Sequence, residues 1–149
     1  MPFITFGRVL FAVLFIYLGA EKLFDIKTTA KLIGDKVAIP SVLMPYVDNL
    51  QTLTQMEHTT LLAILIGGFE VLAGLMLALN FGARFFAVLL IFSVAVSTYY
   101  FYNFWAQPAP GDATMVVDAL KNLAIIGALF MIAGYGRGRR AAEPAYGDV

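Results

Sequence analysis

Long apolar runs separated by short polar breaks dominate this chain, and their lengths predict its fold. A helix rises about 1.5 Å per residue, so about 20 mostly apolar residues cross a hydrocarbon core of about 30 Å. Four stretches meet that requirement, at residues 3–23, 59–80, 84–104 and 114–135. The first carries Arg8 near one end and Glu21 and Lys22 at the other; the second holds Glu70 as its only charge; the third is headed by Arg84 and is otherwise uncharged. The fourth is apolar only from Leu123 onward and reaches spanning length by extending back through Asn122, Lys121 and Asp118. The pattern predicts an all-α integral membrane protein, a four-helix transmembrane bundle forming one domain over 3–136, with a polar tail at 137–149.

The breaks are of different kinds. Residues 25–57 carry lysines and the punctuating Pro40 and Pro45, yet Leu32, Ile33, Val37 and Ile39 make the segment too apolar for a free loop. It is too short to cross, so one or two short helices are expected at the interface or over the bundle mouth. Asn80, Gly82 and Arg84 form a tight second link. Pro108, Pro110 and Gly111 forbid a continuous helix in the third. The first run superficially resembles a secretory signal, but Arg8 lies inside it and three more spans follow, so it is expected to be a retained helix.

Composition sharpens the membrane reading. Hydrophobic residues make up 60% of the 149 and charged residues 13%, about half the usual share, so the apolar excess must face lipid. Ten basic and ten acidic residues cancel, which leaves no electrostatic footprint for nucleic acid. With no cysteine, thiol redox chemistry and iron–sulfur ligation are excluded for this chain itself. A single histidine, His58 beside Glu57, cannot build a metal site without carboxylates nearby and reads as an interfacial or capping residue, with ligation or a place at a ligand mouth as the alternative.

An even number of spans puts both termini on one side. That side has Arg8, Arg84, Arg137, Arg139 and Arg140, and the other Lys22, Lys27, Lys31, Lys36 and Lys121. The compact arginine group after residue 136 favours cytoplasmic termini. Aromatic residues from Tyr99 to Trp105 then mark the opposite headgroup level, or alternatively a surface at Tyr99 and Tyr102 on which a flat ligand such as a quinone stacks.

Steps of three and four along the second span place Ala63, Gly67, Glu70, Gly74 and Ala78 on one face. Small residues let a neighbouring backbone come close, so Glu70 is expected to point into the bundle. A carboxylate at the bilayer centre costs about 3 kcal/mol to insert and calls for a cation or a proton. Judged by depth, Lys121 lies roughly 7 Å to one side of Glu70 and Arg8 roughly 9 Å to the other. Lys121 is the expected first partner and Arg8 the alternative, with Glu21, Lys22 and Asn122 forming a second group near the outer mouth. Two readings of this network stand side by side: an ion-pair lattice fixing helix register, or a proton-accessible, ligand-binding site.

The chain resembles the DoxX family of small bacterial four-helix membrane proteins. The resemblance rests on Gly7-Arg8-Val9-Leu10, Gly19-Ala20-Glu21-Lys22-Leu23 and Ile39-Pro40, and on Gly68-Phe69-Glu70-Val71-Leu72-Ala73-Gly74-Leu75. It continues through Gly82-Ala83-Arg84 to Lys121-Asn122-Leu123-Ala124-Ile125-Ile126-Gly127. Arg8, Lys22, Glu70, Arg84, Lys121 and Asn122 match the family's polar pattern, whereas tyrosines end the third span where relatives often have a histidine. The resemblance implies a bacterial cytoplasmic (inner) membrane location and association with quinone- or thiosulfate-linked oxidoreductase subunits. Three functions follow as expectations: an accessory subunit of such a system, not catalytic alone; a proton-coupled permease with Glu70 titrating, workable as a homo-oligomer; or a quinone- or lipid-binding protein near Lys22, Lys121 and Tyr99. No intrinsic cofactor is expected, a quinone being the one candidate ligand.

Overall fold

The computed structural model describes residues 2–103, 105 and 113–135. Helix α1 (Pro2–Phe24) is followed by α2 (Ile26–Lys36), a 3-10 turn (Ser41–Leu43), α3 (Met44–Thr54), α4 (His58–Ala78), α5 (Ala83–Phe101) and α6 (Ala113–Tyr135). Among the described residues there is no strand. Four helices are long and apolar enough to cross a membrane: Phe3–Phe24, His58–Ala78, Ala83–Phe101 and Ala113–Tyr135. These coincide with the four runs, except that α5 stops at Phe101, three residues short of the expected end. The prolines and glycine expected to break the third link, and the tail, lie outside the described residues.

Packing inside the chain accounts for little of the apolar surface. Only 33% of the apolar window of α4 is buried, and 11–17% of the windows of the other three spans. Large side chains such as Phe85, Phe92, Leu123 and Phe130 point outward. Only hydrocarbon accommodates such a surface around a whole bundle, since soluble monomers rarely expose apolar patches beyond a few hundred Å².

Helix α1 packs chiefly on α4 and α5 chiefly on α6, with α4 against α5 joining the two pairs. Glycine decides the closeness of the first pair. A Cβ added at Gly19 would lie 2.6 Å from the Gly67 carbonyl oxygen, and one at Gly74 would lie 3.0 Å from that of Ala12. Moving seven residues back along α1 therefore matches moving seven forward along α4. Two antiparallel helical turns mesh in one register, and no larger residue fits the contact points. Phe15, Ala73, Leu77, Leu90 and Leu129 fill the core between the pairs.

The segment between α1 and α4 divides in two. Asp25 caps α2, its side chain accepting the Thr28 N–H at 3.2 Å, and α2 buries Ala30 and Ile33 against α4. Helix α3 starts over Pro45, which suits a first turn because its missing N–H has no intrahelical partner there. It buries no residue and leaves Tyr46, Leu50 and Leu53 exposed. The two expected placements are thus split, α2 over the bundle and α3 outside it. The α4–α5 link turns sharply at Asn80 (φ 57°) and Gly82 (φ 59°), residue types that enter the left-handed region at low cost.

Candidate functional site

The buried charge is met by a lysine from the neighbouring helix. Lys22 Nζ donates to Glu70 Oε2 at 2.7 Å, and their side chains are 29% and 7% exposed. Lys22 stands three residues, just under one helical turn, nearer the bundle mouth than Gly19, which faces Gly67, whereas Glu70 lies three residues from Gly67 in the opposite direction. Its ammonium reaches Glu70 by leaning back toward the start of α1, where it also lies 3.4 Å from the Leu18 carbonyl. Helical side chains lean toward the N-terminus by construction, so the long stem bridges the offset.

The expected Glu70–Lys121 pair does not form. Lys121 instead donates to Asp118 one turn away on α6, at 2.9 Å, with both side chains largely exposed. Lys121 suits Glu70 in depth along the membrane normal, but α6 packs on α5 and α1 holds the place beside α4. The alternative, Arg8, is also elsewhere: its Nη1 donates to Asn80 Oδ1 at 2.7 Å, and its Nε is buried without a partner. Arg84 Nη2 reaches the Gly134 carbonyl at 3.5 Å. The two groups expected from the sequence are therefore divided differently: Lys22 joins Glu70 near the lysine-bearing mouth, and Arg8 and Arg84 lie at the other end.

A partly open cavity of about 440 Å³ lies beside the Lys22–Glu70 pair, enclosed by α1, α2, α4, α5 and α6. Phe15, Ile66, Val94, Phe101 and Ile125 supply its apolar walls, and Ser97, Tyr102 and Asn122 its neutral polar groups. Exposed Glu21 and Asp25 stand on its rim. Asn122 Nδ2 donates to Thr98 Oγ1 at 3.0 Å, and that hydroxyl donates to the Val94 carbonyl at 2.7 Å, which locks the amide in place. Glu21, Lys22, Glu70 and Asn122 all line this one cavity. Tyr102 lines this cavity, while Tyr99 lines a second, shallower one against Trp105, Leu120 and Leu123. His58 opens α4, half-buried, and lines neither cavity.

Sequence reasoning missed Asp25, Thr28, Thr29 and Ser97. Thr28 and Thr29 recur at helical spacing with Leu32 on the face of α2 that meets the cavity, a signal readable only once α2 is taken as a helix. No group of three or more His, Asp or Glu among the described residues is arranged to hold a metal ion. The chemistry available is hydrogen bonding, one ammonium–carboxylate pair and apolar contact.

A model of one protein family, DoxX, matches residues 3–103. The chain belongs to the DoxX family. No curated protein matches it, nor does any solved structure. The DoxX match covers α1 to α5 and includes Arg8, Glu21, Lys22, Glu70 and Arg84. It ends before α6, so the resemblance read from Lys121 to Gly127 lies beyond it. The ion pair is thus made wholly from the matched part of this DoxX protein, while Asn122 is added from outside it.

Proposed function

We propose that this DoxX protein is an accessory subunit of a quinone-linked redox system in the bacterial cytoplasmic membrane, and that it seats a quinone headgroup in the cavity beside Lys22 and Glu70. The observation that carries the reading is the cavity itself: about 440 Å³, mostly apolar, with a few polar groups at fixed places. Small-molecule sites have that size and composition. A quinone ring is flat and apolar on its faces, matching Phe15, Val94 and Phe101, and carries two carbonyl acceptors. The Lys22 ammonium and the Asn122 amide are the donors that suit them. Glu70 holds the ammonium in position, and the close α1–α4 contact fixes both backbones.

In this reading the reduction of a bound quinone belongs to a partner oxidoreductase that carries its own redox cofactor. The test is isolation from native membranes without crosslinker, followed by solvent extraction of the purified material. A stoichiometric redox partner and about one quinone per chain are expected, with the quinone lost when Val94→Trp fills the cavity. Isolation of the protein alone, free of quinone and conducting pH-dependent flux in vesicles, would overturn the proposal in favour of a permease built around Glu70.

A further inference from the structure

We propose a second ligand site, independent of the cavity: the end of the bundle formed by the start of α1, the α4–α5 turn and the end of α6 binds the phosphodiester headgroup of an anionic phospholipid through Arg8 and Arg84. The two bundle ends differ in charge. Glu21, Asp25, Asp35, Asp48, Glu57 and Asp118 all belong to the end where α1 stops and α4 starts, and Glu70 sits mid-span. Among the described residues the opposite end carries no carboxylate, only the two arginines. The bond from Arg8 to Asn80 joins α1 to the α4–α5 turn, and that from Arg84 to Gly134 joins the start of α5 to the end of α6.

Among the described residues neither arginine finds a full set of partners. Arg8 meets only a neutral amide, and its Nε is buried without a partner. Arg84 is exposed, and its hydrogen bond among the described residues, at 3.5 Å, is at the long limit. A guanidinium presents donors in a planar fork that matches phosphate oxygens, and it carries its charge at any physiological pH. The surroundings select a lipid over a free anion. Phe3, Phe6, Phe81 and Phe85 are 63–87% exposed at this same end, a rim that acyl chains cover and inorganic phosphate does not. The occupant thus has a negative head and apolar tails.

The full chain in non-ionic detergent is titrated with phosphatidylglycerol, with phosphatidylcholine of the same acyl chains, and with inorganic phosphate, while thermal unfolding is followed and retained lipids are counted by native mass spectrometry. Each arginine near the surface strengthens anionic lipid binding about fivefold, so phosphatidylglycerol is expected to bind about thirtyfold more tightly than phosphatidylcholine. Inorganic phosphate alone is expected to leave unfolding unchanged. The ratio should collapse toward one in about 1 M salt, where the screening length is about 3 Å. Arg8→Gln combined with Arg84→Gln should abolish the preference, and Lys121→Gln, at the other end, should preserve it. Equal affinity for the two lipids, an unscreened preference, stabilisation by phosphate as strong as by the lipid, or a preference that survives in the double variant would each overturn the proposal. Arg84→Gln alone, at an exposed position, serves where the double variant does not fold: the preference should fall about fivefold, and an unchanged ratio would overturn the proposal.

Discussion

Adding one methyl group at Gly19 should separate α1 from α4. The new Cβ would lie 2.6 Å from the Gly67 carbonyl oxygen, 2.8 Å from the Val71 nitrogen and 2.9 Å from the Glu70 Cβ. Two of these are backbone atoms of α4, so no side-chain rotation relieves the clash. Ordinary contacts begin near 3.4 Å, and α1 must therefore withdraw by about 0.8 Å, enough to weaken the packing along the seam. Overpacking of this kind costs about 1–3 kcal/mol. The usual gain of about 1 kcal/mol for Gly→Ala in a helix offsets little of it, because helices persist in the micelle-unfolded state. Gly68 is the internal control: it lies on α4 beside Gly67, and a Cβ there meets nothing within 4 Å. Equilibrium unfolding in mixed micelles, titrated with a denaturing detergent, should place Gly19→Ala about 1–3 kcal/mol below the native chain and Gly68→Ala within about 0.5 kcal/mol of it. Quinone affinity should fall with the first and not the second, since Lys22 shares α1 with Gly19. Equal stability of the two variants would refute the close-packed α1–α4 seam.

Three further outcomes follow from the pairings. Glu70→Gln and Lys22→Met are each expected to cost about 3 kcal/mol, because each strands a partner, while the double substitution costs less than the two together; a double-mutant cycle with no coupling would remove the pair from the account. Lys121→Ala should change stability by less than about 0.5 kcal/mol, since its bond to Asp118 is exposed, and a larger loss in the same unfolding assay would restore it as a core partner. Asn122→Leu removes the bond to Thr98 and should cost about 0.6 kcal/mol in stability, with quinone affinity dropping further than stability does; unchanged affinity by equilibrium dialysis would take the amide out of the site.

Much of the protein was legible along the chain because hydrocarbon imposes one-dimensional rules. A span must be about 20 residues long and apolar, so four spans could be counted without coordinates, and their ends fell close to those of α1, α4, α5 and α6. The small-residue face of α4 was equally readable, since helical periodicity alone puts Gly67, Glu70 and Gly74 together, and both Gly67 and Gly74 proved to be points of closest approach to α1. Depth along the bilayer is also a property of position in the chain. Lateral order is not: which helix stands beside which depends on how surfaces mesh. Lys121 had a suitable depth for Glu70 but belongs to a helix that packs on α5, whereas Lys22, offset by more than a turn, belongs to the helix that glycine brings against α4. The separation of the two arginines from the ion pair, the closing of α2 over the cavity and the exposure of α3 arise in the same way. Burial and spacing choose the face of each helix from its own residues, but the partner of that face is settled only by competition among all the faces in three dimensions.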